Sequence, residues 1–157
     1  GFGLLREQDM DYQGVYRIDP VSGDVSLLAS DFGQPNGLTF SLDEKQLFIN
    51  DTDHGHIRVY DVANDGSISG GDVWAVPEGP GDGGCDGMKI DSEGNIFCTG
   101  PGGIHVYAPD ATALGMIQVP EVTANFTWGD ADLKSIYMTA STSIYRTRVN
   151  VAGRSIS

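Results

Sequence analysis

Short runs of Val, Ile, Leu, Phe and Tyr alternate with clusters of Gly, Asp, Asn, Ser and Pro along the whole chain. Residues 14–20, 56–61 and 73–76 are three such runs, and each is long enough for one strand. No stretch keeps apolar residues at helical spacing over three turns without a Gly or a Pro. The pattern therefore predicts an all-β protein of short antiparallel strands with no substantial helix.

A longer segment recurs three times, starting at Asn36, Asp86 and Asn125. Each copy begins with an amide or carboxylate side chain, continues as an alternating apolar run, turns at acidic or glycine residues and ends in a second apolar run. The first two starts are 50 residues apart, and the second and third are 39 apart. A period of about 40–50 residues made of short strands is typical of the blades of a β-propeller. The three polar side chains are then expected at equivalent places, near one end of a central channel.

The strand runs predict how the blades divide the chain. We expect two complete four-stranded antiparallel blades, the outer strands of a preceding blade at residues 14–30, and most of a following blade. This amounts to about three blades in a single partial β-propeller domain over residues 1–157. The smallest closed propellers have about four blades. The chain is therefore expected to be part of a larger ring.

Charge narrows the classes of partner. The chain has 22 acidic and 9 basic residues and a net charge of −13. Such a field repels nucleic acid and anionic membranes and attracts cations, although solubility alone is the plain alternative explanation. No apolar run approaches the ~18 residues of a membrane-spanning helix. We therefore expect neither a nucleic acid nor a membrane as partner.

Cysteine and histidine positions do not suggest a metal site built on sulfur or imidazole. Cys85 and Cys98 do not form a C-x-x-C motif, so two free thiols are expected rather than a zinc site or a disulfide. His54, His56 and His105 do not form a ligand set by their spacing. His56 and His105 are expected on blade surfaces.

Four segments in order along the chain resemble the SMP-30/gluconolactonase family. They are Gly-Val-Tyr-Arg-Ile-Asp-Pro at 14–20, Gln-Pro-Asn-Gly-Leu-Thr-Phe at 34–40, Cys-Asp-Gly-Met-Lys-Ile-Asp at 85–91 and Thr-Ala-Asn-Phe-Thr-Trp-Gly-Asp at 123–130. The resemblance implies a six-bladed propeller that hydrolyses lactones with a divalent metal in its channel.

The family pattern implies four metal ligands, a Glu and an Asn from the N-terminal half and an Asn and an Asp from the C-terminal half. The last two fall on Asn36 and Asp86, whereas Glu7 lacks the flanking residues of the family's glutamate. The chain thus resembles the C-terminal half only. A complementary N-terminal half-propeller chain, or a second copy of this chain, is implied as the partner that completes the ring.

The resemblance also implies roles for individual side chains. Asp86 would bind the metal and take a proton from water, and Asn36 would only coordinate. From its equivalent position in the third repeat, Asn125 is expected either to line the pocket and bond substrate hydroxyls or to cap a loop. From its spacing after the strand at 47–50, Asp51 is expected to contact the substrate or to support a residue that does. Without the resemblance, turn formation before Gly37 and Gly87 is the favoured interpretation of Asn36 and Asp86. Oxygen ligands favour Ca²⁺, with Mg²⁺, Mn²⁺ or Zn²⁺ as alternatives.

The functional prediction is a metal-dependent hydrolase that opens lactone rings and needs a second half-propeller to complete its site. The alternative is a non-catalytic propeller fragment that binds a ligand or a protein. A different hydrolysis in the same channel, such as that of an organophosphate, is a third reading. The fold alone does not choose among them, because propellers have many functions.

Overall fold

The computed structural model describes residue 7 and residues 9–155. Strands are the only regular elements in this part of the chain. They are β1 (Gln13–Ile18), β2 (Val25–Phe32), β3 (Pro35–Phe40), β4 (Gln46–Asp51), β5 (His56–Val62), β6 (Ile68–Ala75), β7 (Met88–Ile90), β8 (Ile96–Gly100), β9 (Gly103–Tyr107), β10 (Ala113–Gln118), β11 (Thr123–Gly129), β12 (Ser135–Ala140) and β13 (Ile144–Arg148).

The strands form four antiparallel sheets in chain order. The first sheet consists of β1 and β2. The second contains β3 to β6 and the third contains β7 to β10, so each of these two has four strands. The last sheet has three strands, β11 to β13. This arrangement confirms the predicted division into outer strands, two complete blades and most of a third. The outer strand β6 begins five residues earlier than predicted, at Ile68. A Gly-Gly pair is typical of a turn, but Gly70 and Gly71 lie within β6, with φ of 87° and 98°. The pairing of β6 with β5 shifts register there, which makes this pair a β-bulge.

Neighbouring sheets pack face to face because successive side chains of a strand point to opposite faces. In β4, Leu47 and Ile49 pack against Val15 and Phe32 of the first sheet. Phe48, between them, packs instead in a cluster that contains residues of β7, β8 and β9. A third cluster joins that sheet to the last one through residues such as Phe97 and Phe126. The apolar core is therefore divided into layers between successive blades, as in a propeller.

The first strands of successive sheets lie side by side. β3 contacts β7, and β7 contacts β11. Each of these strands is the edge of its sheet, and each begins where the chain enters a new blade. Together β3, β7 and β11 form the inner wall of the sheet array, and their first residues lie at one end of it. The sequence repeat predicted its three polar side chains at this end. No helix in the described part of the chain is long and apolar enough to cross a bilayer.

Candidate active site

Asn36 and Asp86 lie together at the starts of adjacent inner strands. Asn36 is the second residue of β3, and Asp86 lies two residues before the first residue of β7. The exposed side chain of Asn36 donates from Nδ2 to Thr52 Oγ1 at 3.1 Å. It also lies close enough to the carboxylate of Asp86 to lower the pKa of that group. The structure therefore brings together the two side chains that the repeat and the resemblance singled out.

The carboxyl of Asp86 is half-buried, and this environment changes its acidity. Burial raises the pKa of Asp86 above its ordinary value, and the interaction with Asn36 only partly offsets this effect. A carboxylate that is partly removed from water and has few partners is a good ligand for a cation and a good acceptor for a proton. Both properties fit the double role expected for Asp86.

Asn50 fixes the distance between the two strands that carry these residues. Its fully buried side chain accepts a hydrogen bond from the Gly37 N–H at 2.9 Å and donates to the Asp86 carbonyl at 2.8 Å. One amide thus ties β3 to the segment before β7. Sequence reasoning missed Asn50, although a polar residue ending the buried run Leu47–Phe48–Ile49 was a usable signal.

Two threonines hold the backbone on either side of Asp86. Thr52 Oγ1 donates to the Cys85 carbonyl at 2.6 Å while it accepts from Asn36. Thr99 Oγ1 accepts from the Asp86 N–H at 3.0 Å and donates to the Gly84 carbonyl at 3.1 Å. The backbone around Asp86 is consequently fixed by its own blade and by the preceding one. Neither threonine was predicted from the sequence.

Asn125 occupies the equivalent position on β11 and lies next to the Asp86–Gly87 segment. A Cβ on Gly87 would be 2.6 Å from Asn125 Oδ1, and the same oxygen accepts from the Phe126 N–H at 2.8 Å. The Asn125 residue is exposed on the inner edge strand. This position suits the pocket-lining role predicted for it, which remains a prediction.

Asp51, predicted to contact the substrate or to support the site, lies buried at the end of β4. Its side chain is 1% exposed. Its oxygens accept from the N–H groups of Gly33, Gln34, Asp53 and His54, and Oδ2 lies 2.6 Å from His54 Nδ1. These interactions hold the pKa of Asp51 well below its usual range despite its burial. In this arrangement the carboxylate faces its own loop, and it supports the site indirectly by ordering the turn that carries Thr52.

The histidines depart from the sequence expectations. His54 and His56 stack with ring centroids 5.4 Å apart, and together with Asp51 they place three ligand-type atoms within 4.8 Å of one another. The spacing of the histidines did not indicate this grouping of two of them with Asp51. His105 is buried rather than on a surface, with Nε2 3.0 Å from the Pro101 carbonyl. The expectation of two free thiols is confirmed, because Cys85 and Cys98 are unbridged and buried.

Comparison with known proteins agrees with this architecture. The family model of the SMP-30/gluconolactonase/LRE-like region matches residues 2–142. The chain therefore belongs to this family, and its sheets are blades of the family's β-propeller. It is 31% identical to a gluconolactonase of Zymomonas mobilis, with a match covering 93% of this chain and 43% of that protein. It is 32% identical to the pentonolactonase XacC of Haloferax volcanii, over 81% of this chain and 44% of that protein.

Solved structures show the same relationship. A gluconolactonase from Xanthomonas campestris matches with a TM-score of 0.79 and 25% identity, over 90% of this chain and 46% of that one. A calcium-binding protein, regucalcin from Agrobacterium tumefaciens, shares the fold with a TM-score of 0.76 at 22% identity, over 90% of this chain and 54% of that one. The chain thus spans about half the length of the relatives it matches.

Proposed function

We propose that this chain carries part of the active site of a metal-dependent lactonase that opens sugar lactones. Asn36 and Asp86 are two of its metal ligands, and Asp86 is also its catalytic base. The observation that supports this proposal is the meeting of these two side chains at the starts of β3 and β7, on a backbone fixed by Asn50. The naming of related proteins as gluconolactonase and pentonolactonase supports sugar lactones as the substrate class.

The donors at this place fit a hard divalent cation. Asn36 and Asp86 offer amide and carboxylate oxygens, and the raised pKa of Asp86 shows a carboxyl that gains from a positive partner. Ca²⁺ is the favoured ion, with Mg²⁺, Mn²⁺ and Zn²⁺ as alternatives. When bound, such a cation polarises the ester carbonyl and lowers the pKa of water.

Residues of this chain would accept the proton of the attacking water and bind the lactone substrate. The Asp86 carboxylate accepts a proton from the water whose oxygen attacks the lactone carbonyl. The bond from the carbonyl carbon to the ring oxygen then breaks, and the ring oxygen takes the proton held by Asp86, which gives a hydroxy acid and restores the carboxylate. Asn125, exposed beside Gly87, is placed to hydrogen-bond substrate hydroxyls. Asn36 keeps its amide oriented through Thr52.

Metal removal tests the proposal directly. For the chain assembled with the other half of the propeller, dialysis against a chelator should abolish acid release from a sugar lactone, and Ca²⁺ added back should restore it more fully than Mg²⁺, Mn²⁺ or Zn²⁺, because flexible oxygen sites suit the larger ion. The measurement is the initial rate of acid release, with each cation added separately. Full activity after chelation would contradict the metal role. Lactone binding without turnover under every cation would instead favour the non-catalytic binding module.

The remaining ligands would come from blades that this chain does not contain. The resemblance implies a further Glu and Asn, and the chain covers less than half of its curated lactonase relatives. Among residues 9–155, the first sheet has two strands, and no other sheet packs on one of its faces. The cross-strand pairs Tyr16–Leu27 and Ile18–Val25 lie on that face, and all four side chains are exposed. An apolar face of this kind calls for a neighbouring blade.

The opposite end of the chain presents a different surface. The face of β11–β13 that does not pack on the preceding sheet carries Thr127, Tyr137 and Arg146 in adjacent register, and Arg146 pairs with Asp130 at 2.7 Å. A head-to-tail dimer would press the apolar face of one copy onto this polar face of the other. The mismatch favours a complementary half-propeller as partner, with a second copy as the alternative.

Expression of the chain alone tests the need for a partner. Because the uncovered face of β1–β2 is apolar, we expect the isolated chain to self-associate or aggregate. Size-exclusion chromatography with light scattering measures this, and coexpression with the other half of the propeller should yield a discrete species of higher mass. A soluble, monodisperse monomer of 16.7 kDa would contradict the proposed partner.

A further inference from the structure

The hairpin between β4 and β5 carries a second group of ligand-type side chains, Asp51, His54 and His56. Asp51 is the last residue of β4, His56 is the first residue of β5, and the two pair across the hairpin. His54 lies in the turn between them. One atom from each residue lies within 4.8 Å of the others, and Asp51 Oδ2 is 2.6 Å from His54 Nδ1.

Two features of this group are not explained by the lactone site. The proposed hydrolysis uses Asn36 and Asp86, and neither histidine takes part in it. In addition, Nε2 of His56 is buried and has no hydrogen-bond partner in the described part of the chain. Buried polar nitrogens nearly always have a partner, because a nitrogen without one loses its hydrogen bonds to water. A cation coordinated by this nitrogen would give it the partner that it lacks.

We propose that Asp51, His54 and His56 bind a divalent transition-metal ion of the zinc class. Two imidazoles and one carboxylate are the donors that such ions prefer, and they differ from the all-oxygen set at Asn36 and Asp86. The Asp51 carboxylate supplies a negative charge at the site. Arg58, whose charge reaches His56, is paired with Asp31 at 2.9 Å.

Metal binding needs only a local rearrangement of His54. Its Nδ1 now contacts Asp51 Oδ2, and coordination would place the ion between these two atoms. The ring proton would then reside on Nε2. The His54 side chain is 55% exposed, so the ring can turn, and one side of the ion can remain open to water. Tetrahedral metal–ligand distances of about 2.0–2.2 Å separate two ligand atoms by roughly 3.4 Å, so Asp51 Oδ2 and His54 Nδ1 would move apart from their present 2.6 Å.

The consequence would be a stiffer loop next to the candidate lactone site. Residues 52–55 join the strands that carry Asp51 and His56. Thr52 in this loop accepts from Asn36 and donates to the Cys85 carbonyl. An ion at the hairpin would therefore support the position of Asn36 without touching the substrate.

Titration of the chelator-treated protein, in the assembly in which it purifies, tests this site. With excess Ca²⁺ present to occupy the oxygen site at Asn36 and Asp86, Zn²⁺ followed by calorimetry should bind as one high-affinity ion per chain, and Co²⁺ should give ligand-field bands of nitrogen coordination. His54→Ala removes a half-exposed side chain and leaves the core intact. Because loss even of an outer-shell partner costs 10–100-fold in metal affinity, loss of this ligand should weaken Zn²⁺ binding at least ~10-fold.

Two matched variants separate this site from its surroundings. Asp53→Asn removes an exposed carboxylate in the same loop that is not part of the group, and it should leave Zn²⁺ affinity within about twofold. Asp86→Asn should likewise leave Zn²⁺ affinity and the Co²⁺ bands unchanged, so failure of the lactonase proposal would not affect this result. Equal Zn²⁺ affinity of the His54→Ala variant and the unmodified protein, or Co²⁺ bands abolished by Asp86→Asn, would overturn the proposal.

Discussion

Replacing Asp86 by Asn should lower the rate of lactone hydrolysis by about 10²–10⁴-fold, the usual contribution of a positioned acid–base group. Asn keeps the size of the side chain but removes its charge and its capacity to take a proton from water. Both of the roles proposed for Asp86 are therefore lost together. Initial rates of acid release from a sugar lactone, measured at saturating Ca²⁺ on the chain coexpressed with the other half of the propeller, give the effect.

The fold should survive this change. Burial raises the pKa of Asp86 in the folded protein, so ionising this carboxyl costs more in the folded state than in the unfolded chain. Stability is consequently lower above the folded-state pKa than below it. A neutral Asn avoids that cost, and we expect an unchanged or slightly higher free energy of unfolding at neutral pH. A higher free energy of unfolding at neutral pH, together with lost activity, would show that the variant loses function without losing its fold.

A matched exposed carboxylate provides the control. Asp72 lies on β6, the strand farthest from the inner wall in its sheet. Asp72→Asn changes the net charge by the same amount and should leave the rate unaltered. Unchanged hydrolysis in the Asp86→Asn variant would remove Asp86 from the active site and with it the proposed mechanism.

The blade division was predictable because each repeat has its own signals. Alternating apolar runs and Gly- or Asp-rich turns act locally, so they give strands and sheet order without any long-range information. Asn36 and Asp86 were predictable for a related reason, since equivalent starts of successive repeats must lie at one end of a propeller. The structure places both at the inner edge, as the repeat indicated.

The supporting groups could not be predicted in the same way. Asn50, Thr52 and Thr99 act through hydrogen bonds between segments 13 to 36 residues apart, and these depend on the side-chain register of two blades at once. The group at Asp51, His54 and His56 depends on how the β4–β5 turn folds back, which spacing alone does not specify. In each case the contacts of a short side chain are defined only once the fold has brought distant backbone segments together.

Gly37→Ala should destabilise the protein by about 3 kcal/mol, in the upper part of the range for overpacked sites. A Cβ at this position would lie 2.0 Å from the Asp86 carbonyl oxygen and 2.8 Å from Asn50 Nδ2. Gly37 does not have the positive φ that would explain a glycine by backbone freedom. Its role is the close approach of β3 to the segment before β7, and a methyl group would force them apart.

The same displacement should damage the candidate active site. Moving β3 from β7 breaks the hydrogen bond from the Gly37 N–H to Asn50 and strains the bond from Asn50 to the Asp86 carbonyl. Asn36, the neighbour of Gly37, would move away from Asp86, so metal affinity should fall with stability. Urea unfolding measures the first effect, and Ca²⁺ titration by calorimetry measures the second.

Gly84→Ala is the matched control, because it adds the same methyl group in the segment that leads to Asp86. Its Cβ would meet only Thr52 Cγ2, at an ordinary contact distance of 3.7 Å, and Gly84 also lacks a positive φ. We expect a change within about 0.5 kcal/mol, as for most substitutions away from special features. Equal unfolding free energies for the two variants would show that the blades do not depend on contact at Gly37. The position of Asn36 against Asp86 would then need another explanation, since the Asn50 bridge requires β3 and β7 to be this close.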